Sequence, residues 1–322
     1  MILVVGGAGY IGSHMVKELL SIGREVVVLD NLTTGHRELL PDGEFIKGDL
    51  GDENLLHRIF KTYPIHTVMH FAAFSLVAES VHFPLKYYEN NVAKTIMLLK
   101  VMLEHGIKRF IFSSSAAVYG EPEEIPITEN CPVRPTSPYG ASKLMVEDIL
   151  QECDRAHGLR YVSLRYFNAA GADESATIGE NHHPESHLIP LVLKAAQGEK
   201  ENITIFGTDY PTDDGTCIRD YIHVTDLARA HLLAMDALEN GKPGGIYNLG
   251  NSRGYSVKEV IETAGKVTDR QIPVVEGPRR PGDPAILVAS SEKIKRELGW
   301  QPKFQDLETI VKTAWQWHRN SP

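Results

Sequence analysis

Three side chains in the middle of the sequence could together carry out acid–base chemistry. Ser115 ends a strand-like segment, and Tyr139 and Lys143 stand four residues apart a little further along the chain. Ser137 and Pro138, just before the tyrosine, are suited to cap and begin a helix, so Tyr139 and Lys143 would share one helix face. This spacing predicts a site in which a tyrosine hydroxyl takes a proton from a substrate hydroxyl.

A glycine-rich segment near the start of the chain has the spacing of a dinucleotide-binding loop. Gly6, Gly9 and Gly12 follow the first strand-like segment and open a helix-like one. Residues without side chains let the backbone approach a pyrophosphate, whose charge then lies at the helix N-terminus. Asp30 ends the next strand-like segment, where a carboxylate can bind ribose hydroxyls and would repel a 2′-phosphate. Together these residues predict NAD, rather than NADP, as the cofactor.

The cofactor and Lys143 would both adjust the acidity of Tyr139. A phenol ordinarily loses its proton near pH 10. An ammonium group and the positive nicotinamide ring both favour the phenolate, so we expect a lowered pKa for Tyr139. Lys143 would also hold the nicotinamide ribose, and Ser115 would hydrogen-bond the reacting hydroxyl. No metal is required by this chemistry, and the pair His182-His183 is expected to be solvated in a loop.

Strand-like and helix-like segments alternate over the first half of the chain, as the site requires. The predicted strands are Ile2–Val5, Glu25–Leu29, Phe45–Lys47, Thr67–Phe71, Arg109–Ser113 and Tyr161–Arg165. The predicted helices are Ile11–Ile22, Leu55–Thr62, Leu85–His105 and Tyr139–His157. This alternation predicts an α/β fold with a Rossmann-like, doubly wound parallel sheet, whose carboxyl edge carries the ligands.

The pattern loosens after Asn168, where segments rich in Gly, Pro, Asp and His follow. A helix candidate at Thr225–Leu238 and a strand candidate at Ile246–Leu249 could return to the main sheet. We therefore expect residues 1–168 to form the cofactor-binding domain, with residues 220–250 returning to it. Residues 169–322 are expected to form mainly a smaller, interleaved substrate-binding domain.

Composition excludes several other classes of protein. The chain has 322 residues, 42% of them hydrophobic and 23% charged, which is ordinary for a globular protein. A formal net charge of -9 argues against general binding to nucleic acid or anionic membrane. Three widely spaced cysteines suggest neither a disulfide framework nor a zinc motif. No apolar run approaches the roughly 20 residues of a membrane span, and no signal peptide precedes the first strand, so we expect a cytoplasmic protein.

Several motifs taken together resemble the UDP-glucose 4-epimerase family, a branch of the extended short-chain dehydrogenases/reductases. The motifs are the glycine loop, Ser-Ser-Ser-x-x-Val-Tyr-Gly at 113–120, Ser-Pro-Tyr-Gly-x-Ser-Lys at 137–143 and Leu-Arg-Tyr-Phe-Asn-x-x-Gly at 164–171. The similarity continues through residues 205–216, 219–224, 247–250 and 279–283, so it spans essentially the whole chain.

The resemblance implies reversible epimerisation of UDP-galactose and UDP-glucose at C4, through a 4-keto intermediate and with tightly bound NAD. The implied cofactor contacts are Gly6, Gly9, Tyr10, Ile11, Gly12, Asp30, Asn31, Asp49, Leu50, Phe71, Ala72, Ala73, Asn90, Ser113, Tyr139, Lys143 and Tyr166. The implied UDP-sugar contacts are Ser115, Tyr139, Asn168, His187, Leu188, Phe206, Arg219, Arg280, Asp283 and Leu287. Arginines are suited to hold the diphosphate because their planar guanidinium binds two phosphate oxygens. Without the resemblance, Arg279-Arg280 would be interpreted as a charged surface turn.

The resemblance also implies a homodimer. The segments predicted as helices at 85–105 and 139–157 carry apolar residues on more than one face, which would pair with their copies. These residues are Val92, Ile96, Leu99, Val101, Leu103, Leu144, Val146, Ile149 and Leu150. The alternative is that all of these faces pack within one chain.

Three positions depart from the best-known members of the family. Ser75 stands where several members carry a lysine that reaches the cofactor, and His187 stands where a substrate-binding asparagine is usual. Leu287 stands where some members have tyrosine and others a small residue. Because that position borders the sugar C2 group, UDP-N-acetylhexosamines remain open as further substrates.

Two alternative functions share the fold. Nucleotide-sugar dehydratases resemble this chain but carry an Asp-Glu pair at the positions of Ala116 and Ala117, and decarboxylases carry a glutamate at the second. Without these carboxylates, elimination lacks its acid–base groups. A non-catalytic NAD-sensing protein is the other alternative, and the Tyr139–Lys143 pair argues against it.

Overall fold

The computed structural model describes residues 1–280 and 282–320, so Pro281 of the motif at 279–283 lies outside the described residues. The strands, in chain order, are β1 (Ile2–Val5), β2 (Val26–Asp30), β3 (Glu44–Lys47), β4 (Thr67–His70), β5 (Arg109–Ser115), β6 (Arg160–Tyr166), β7 (Asn168–Ala170), β8 (Ile203–Phe206), β9 (Ile218–His223), β10 (Gly245–Leu249), β11 (Gly254–Ser256), β12 (Val274–Gly277) and β13 (Ile286–Leu287).

The helices connect these strands on both sides. They are α1 (Tyr10–Ser21), α2 (Glu53–Thr62), α3 (Val77–His82), α4 (Pro84–Tyr87), α5 (Lys94–Glu104), α6 (Pro138–His157), α7 (Leu188–Gln197), α8 (Val224–Glu239), α9 (Val257–Thr268), α10 (Glu292–Leu298) and α11 (Leu307–Asn320). A π-helical segment (Tyr88–Ala93) joins α4 to α5, and short 3-10 turns lie at Arg37–Leu39 and Ala116–Val118. Within 1–280 and 282–320, no helix combines the length and apolar content needed to span a bilayer.

Seven strands form one parallel sheet in the order β3-β2-β1-β4-β5-β6-β10. Strands β1 and β2 are buried along their whole length, since helices cover both faces of the sheet. That is why their sequences are nearly continuous apolar runs. The predicted doubly wound parallel sheet is confirmed, and the predicted strands agree with the observed ones to within one or two residues.

Two apolar cores lie on the two faces of this sheet. Helices α1 and α8 contribute Met15, Leu19 and Met235 to one face, and all three are fully buried. Helices α5 and α6 contribute Leu99 and Val146 to the other face. Burial on both faces fixes the strands, and with them the positions of the side chains at the carboxyl edge.

Smaller sheets hold the other half of the predicted site. Strand β9 is the centre of a sheet in which β11, β13 and β7 are its partners, and β8 pairs with β12 in a separate ribbon. Helices α7, α9 and α11 form a third apolar core beside them. Between β9 and β11 the chain returns to the main sheet, because β10 pairs with β6 in parallel, with Ile246 opposite Ser163. The two halves of the molecule are therefore interleaved along the chain.

Candidate active site

The glycine loop joins β1 to α1 at the carboxyl edge of the main sheet. Gly6 has a φ of 77°, and a β-carbon there would lie 2.4 Å from the backbone nitrogen of Ala72. A β-carbon on Gly12 would lie 2.2 Å from the carbonyl oxygen of Gly6, so the fold itself requires both glycines. Gly9 differs, since among the described residues an added β-carbon would meet only the Gly6 carbonyl oxygen, at 3.5 Å. Its missing side chain leaves space at the N-terminus of α1, which fits a pyrophosphate.

Asp30, at the end of β2, is aimed at this loop by backbone hydrogen bonds. Its Oδ2 accepts from the N–H of Ala8 at 2.9 Å, and its Oδ1 accepts from the N–H of Leu32 at 2.8 Å. Each carboxylate oxygen keeps a further lone pair for a hydroxyl donor. The carboxylate is therefore fixed where it can bind ribose hydroxyls and would repel a 2′-phosphate.

Asn31 and Asp49, the predicted cofactor contacts that follow β2 and β3, are joined by a hydrogen bond. Asn31 Nδ2 donates to Asp49 Oδ2 at 2.9 Å, and Lys94 Nζ lies 2.8 Å from Asp49 Oδ1. Burial raises the pKa of Asp49, but the hydrogen bonds from Lys94 and from the N–H of Gly51 lower it by a larger amount. The pKa of Asp49 therefore lies below its ordinary value. Asp49 is therefore an ionised, oriented acceptor, and the next residue, Leu50, is buried beside it.

The chain that leaves β4 runs against the glycine loop. The N–H groups of Phe71 and Ala72 both donate to the Val5 carbonyl, at 2.8 and 3.1 Å. The ring of Phe71 also packs against His231, with centroids 4.9 Å apart. Phe71 and Ala72, together with Ala73 that follows them, thus line the opening between β1 and β4.

Sequence reasoning chose Asn90 here and missed its neighbour. Asn91, in the π-helical segment, donates to the Phe74 carbonyl at 3.0 Å and accepts from the Phe74 N–H at 2.9 Å. Its amide also donates to Ser142 Oγ on α6 at 3.1 Å. Asn90 Nδ2 in turn donates to Asn91 Oδ1 at 3.1 Å, so Asn91 connects Asn90, the loop after β4 and helix α6. The available signal was the pair of adjacent amides, Asn90 and Asn91, inside a predicted helix.

Helix α6 begins where the sequence predicted. The Ser137 hydroxyl accepts from the N–H of Gly140 at 3.2 Å, and Pro138 is the first helical residue. The cap and the proline fix the first turn, which carries Tyr139. Lys143 stands one turn further along the same face.

Ser115, Tyr139 and Lys143 come together where β5 ends and α6 begins. Lys143 Nζ donates to the carbonyl oxygen of Ser113 at 2.7 Å and lies 5.8 Å from the centre of the Tyr139 ring. Ser115 is near enough to lower the pKa of the Tyr139 phenol, and its hydroxyl accepts from the N–H of Ala117 at 3.2 Å. The structure therefore assembles the predicted trio, and it adds the Ser113 carbonyl as the fixed partner of the lysine.

The pKa of Tyr139 differs from the expectation. Burial raises this pKa, and the Ser115 hydroxyl lowers it only in part. The expected lowering by Lys143 is absent, because burial lowers the pKa of Lys143 itself to about 7 and the amine is then mostly neutral where this phenol ionises. A positive nicotinamide ring would act in the predicted direction. The chain by itself therefore keeps this phenol protonated.

Lys143 is itself strongly perturbed. Burial lowers the pKa of Lys143 to about 7, and the negative charge of Glu147 opposes that change. Glu147 lies four residues along α6, on the same face as the lysine. The charge on Lys143 near neutral pH therefore depends on Glu147.

Glu147 also belongs to a buried ion pair behind the site, which sequence reasoning missed. Arg165 Nη2 donates to Glu147 Oε2 at 2.6 Å and Arg165 Nε donates to Oε1 at 3.0 Å, with side chains only 4% and 2% exposed. The Ser114 hydroxyl donates to Glu147 Oε1 at 2.5 Å, and Arg165 Nη1 donates to the Tyr119 hydroxyl at 2.8 Å. This network connects β5, β6 and α6 next to the segments that carry Ser115, Tyr139 and Lys143.

Tyr166, a predicted cofactor contact, ends β6 beside Ser115 in the sheet register. Its hydroxyl lies 2.5 Å from His231 Nε2, while His231 Nδ1 faces the Leu227 carbonyl at 2.8 Å. Because a carbonyl only accepts, Nδ1 carries the imidazole proton and the Tyr166 hydroxyl donates to Nε2. Burial raises the pKa of Tyr166 and lowers that of His231 to about 4, so both groups are neutral.

Five of the predicted substrate contacts form two groups on the smaller sheets. Leu287 on β13 is paired in register with Arg219 on β9, and Arg219 forms an ion pair with Asp283. Separately, the guanidinium of Arg280 lies over the ring of Phe206, 3.9 Å from its centroid. A guanidinium stacked on a ring keeps its N–H edge free for phosphate.

The remaining predicted substrate contacts stand at the starts of elements. Asn168 opens β7 and is paired with Tyr221 on β9, where the main sheet gives way to the smaller one. His187 and Leu188 stand at the start of α7. The His187 side chain contacts its own loop, with Nδ1 2.6 Å from Glu180 Oε1.

The residues of the 3-10 turn after β5 bear on the choice between proton transfer at one hydroxyl and elimination. Ala116 and Ala117 occupy this turn directly after Ser115, and Ala116 is buried in an apolar cluster with Phe167. Two methyl groups thus stand beside the reacting trio where a dehydratase would place carboxylates. The arrangement supports proton transfer at one hydroxyl and provides no acid–base pair for elimination.

The fold is that of a dinucleotide-dependent enzyme, with a tyrosine and a lysine one helical turn apart at the carboxyl edge of its sheet. The family model described as "NAD dependent epimerase/dehydratase family" matches residues 2–250. The chain belongs to this family.

Individual relatives show which members of this family the chain is similar to. A UDP-glucose 4-epimerase of Halalkalibacterium halodurans is 58% identical over 321 residues, which is 100% of this chain and 96% of the relative. The structure of UDP-glucose 4-epimerase from Brucella ovis in complex with NAD is 47% identical, has a TM-score of 0.95 and covers 98% of this chain and 97% of its own. That of the Bifidobacterium longum enzyme with NAD+ and UDP is 42% identical, with a TM-score of 0.95 and coverage of 100% and 98%. The resemblance inferred from the motifs is confirmed.

Proposed function

We propose that this chain is an NAD-dependent UDP-glucose 4-epimerase, which interconverts UDP-galactose and UDP-glucose through a 4-keto sugar. The observation that carries the proposal is the convergence of Ser115, Tyr139 and Lys143 at the carboxyl edge of the sheet, beside the glycine loop and Asp30. Full-length similarity to UDP-glucose 4-epimerases supports the same reaction.

Each residue of the trio has a distinct role in this reaction. The chemistry that bound NAD supplies is reversible hydride exchange with the sugar C4 carbon. Tyr139 takes the proton of the sugar 4-hydroxyl and later returns it, and Ser115 holds that hydroxyl against the phenol. Lys143, fixed by the Ser113 carbonyl, provides positive charge and a donor for the nicotinamide ribose. Phe206, Arg219 and Arg280, with Asp283, are proposed to hold the uridine diphosphate.

A turnover assay with a cofactor assay tests the proposal. Protein purified without added nucleotide should convert UDP-galactose to UDP-glucose with no added reductant, and it should release NAD on denaturation. A reaction that ends with the oxidation state it began with does not require cofactor exchange, so retention is expected. Activity that depends on added NADP would contradict the role of Asp30, and a dehydrated or decarboxylated product would favour the alternative enzymes.

The breadth of the substrate range is predicted to depend on Leu287. We propose that UDP-N-acetylgalactosamine is also epimerised, less well than UDP-galactose, because leucine lacks the ring and hydroxyl of the tyrosine found in some members. Leu287→Tyr should then lower kcat/KM for the N-acetyl substrate selectively, by roughly 10- to 100-fold, since overpacking costs about 1–3 kcal/mol. Steady-state kinetics with both substrates measure the ratio. An equal loss for both, or no N-acetyl activity in the wild type, would contradict the prediction.

We propose that two copies pair through the helices on the α5–α6 side of the sheet. Leu99, Val101, Val146 and Leu150 prove to be buried within the chain, so they are not available to a partner. Phe83, Leu85, Ile96 and Met145 are exposed instead, by 60%, 80%, 47% and 43%. Leu85, Ile96 and Met145 lie on α4, α5 and α6, Phe83 lies between α3 and α4, and a second copy would cover all four.

A dimer is therefore the expected species in sedimentation equilibrium at micromolar concentration. Ile96→Lys combined with Met145→Lys should shift the mass to that of a monomer, because charges in an apolar interface are costly. Val274→Lys combined with Val275→Lys, on exposed β12 away from these helices, is the matched control and should leave the dimer intact. A monomeric wild type would rule out this assembly.

Two parts of the chain are proposed to bind different ligands. We propose that residues 1–168, joined by part of the 220–250 segment, bind NAD, and that residues 169–322 mainly bind the UDP-sugar. The contacts around Asp30 and Asp49 support the first assignment, and those around Arg219 and Phe206 support the second. Cys131, Cys153 and Cys217 are free thiols, which fits the reducing cytoplasm that we propose as its location.

A further inference from the structure

Four potential metal ligands converge in the loop that leads into α7. Glu180, His182, Glu185 and His187, which we name the loop cluster, present one ligand atom each, and these four atoms lie within 4.8 Å of one another. The carboxylates are the buried half of the cluster, with side chains only 5% and 4% exposed. The His187 side chain is 48% exposed, which leaves a path from solvent.

The imidazole–carboxylate separations in the loop cluster are close to those of a tetrahedral zinc site. Bonds of about 2.0–2.1 Å to nitrogen and oxygen place neighbouring ligand atoms about 3.3 Å apart. His182 Nδ1 lies 3.1 Å from Glu180 Oε1 and 3.8 Å from Glu185 Oε2, and His187 Nδ1 lies 3.2 Å from Glu185 Oε1. The shortest separation, 2.6 Å between His187 Nδ1 and Glu180 Oε1, would open by a fraction of an ångström.

The two buried carboxylates of the loop cluster share their imidazole partners. Both imidazole Nδ1 atoms are directed to the same oxygen, Glu180 Oε1. The Glu180 and Glu185 side chains are almost completely buried, so two carboxylates meet here away from solvent. A divalent cation balances two carboxylates and binds the imidazole nitrogens that face them.

The surroundings hold the ligands in place. Glu185 Oε1 accepts from the N–H groups of Ser186 and His187, at 2.7 and 2.9 Å. Trp317 Nε1 on α11 donates to the Glu180 carbonyl at 3.1 Å, which anchors the first ligand to the last helix. Such outer contacts orient ligands before a metal arrives.

We propose that the loop cluster is a structural Zn²⁺ site, with two imidazole nitrogens and two carboxylate oxygens as ligands. This proposal departs from the expectation, made from the sequence, that no metal is bound. His182 also packs edge-on against Tyr10 at the start of α1, with ring centroids 6.3 Å apart, and His187 directly precedes α7. A bound ion would thus connect the start of α7 to the end of the glycine loop.

Metal content of the full-length, tag-free protein tests the proposal independently of activity. After chelation, dialysis and addition of Zn²⁺, mass spectrometry should find about one equivalent per chain, as one four-ligand site predicts. His182→Ala combined with Glu185→Gln should lower Zn²⁺ affinity by more than the roughly 10- to 100-fold typical of losing an outer contact. His183→Ala is the matched control, because His183 is the exposed neighbour outside the cluster and its loss should change nothing.

Spectroscopy and stability provide further readouts. Co²⁺ in the same site should give the intense visible bands of tetrahedral coordination, and Zn²⁺ should raise the Tm of the wild type and of His183→Ala alone. If the double variant does not fold, Glu185→Gln and the wild-type Co²⁺ spectrum still decide the matter. Equal Zn²⁺ binding by wild type and cluster variants, or only the weak bands of six-coordinate Co²⁺, would overturn the proposal.

Discussion

Replacing Tyr139 with phenylalanine is expected to lower kcat for UDP-galactose epimerisation by about 10²- to 10⁴-fold, the usual contribution of a general base. The substitution removes the hydroxyl that takes the proton and leaves the ring that packs at the start of α6. Lys143 keeps its bond to the Ser113 carbonyl, so the cofactor pocket should be unchanged. Turnover is measured on protein whose NAD content has been shown to equal that of the wild type.

A second tyrosine provides the control for this experiment. The Tyr63 hydroxyl donates to Glu44 at 3.2 Å on the exposed surface, just before β4 begins and far from its carboxyl end. Tyr63→Phe therefore removes the same atom without touching the site and should retain full activity. Turnover close to that of the wild type in NAD-loaded Tyr139→Phe would remove Tyr139 from the mechanism.

Glu147→Gln is expected to destabilise the protein by about 3–5 kcal/mol, because it leaves the buried Arg165 guanidinium without a counter-charge. Chemical denaturation followed by circular dichroism measures the loss. Glu152→Gln, in the exposed pair with Arg155 on the same helix, is the matched control and should change stability little. The double change Glu147→Leu with Arg165→Leu should recover most of the loss, since it removes both buried charges. A Glu147→Gln protein as stable as Glu152→Gln would show that the pair contributes nothing.

The same variant should also change the pH dependence of kcat. Glu147 raises the pKa of Lys143, which burial lowers to about 7. Without the carboxylate this pKa falls further, so the ammonium is lost at a lower pH. The decline in activity as pH rises should therefore begin at a more acidic pH in Glu147→Gln than in the wild type. A merely structural role for Glu147 would leave the profile in place.

The parts of the fold that could be predicted are those with local signals. Apolar runs such as Ile2–Val5 reveal strands of a parallel sheet because both faces must be buried. Ser137 and Pro138 fix the start of α6, and with it the spacing of Tyr139 and Lys143. The strands of the smaller sheets were not predicted, because β7, β11 and β13 are only two or three residues long and depend on β9 for their pairing.

The parts of the site that could not be predicted depend on contacts between distant segments. Glu147 and Arg165 are 18 residues apart and meet only because β6 lies beneath α6. The pKa of Tyr139 depends on how deeply the phenol is buried, and no spacing along the chain reveals this. His182 also seemed a solvated loop residue, because Glu180 lies beneath it only once the loop is folded under α11.

The position of β10 sets the order in which the molecule can be completed as it is synthesised. Until residue 249 has left the ribosome, β6 is an open sheet edge with unpaired N–H and C=O groups. Tyr166, at the end of that strand, likewise lacks its hydrogen-bond partner until His231 on α8 has been synthesised. The half of the enzyme that is translated first therefore cannot close until the central strand of the smaller sheet, β9, has already been made. A nascent chain that stalls before β10 would present this edge to any strand able to pair with it.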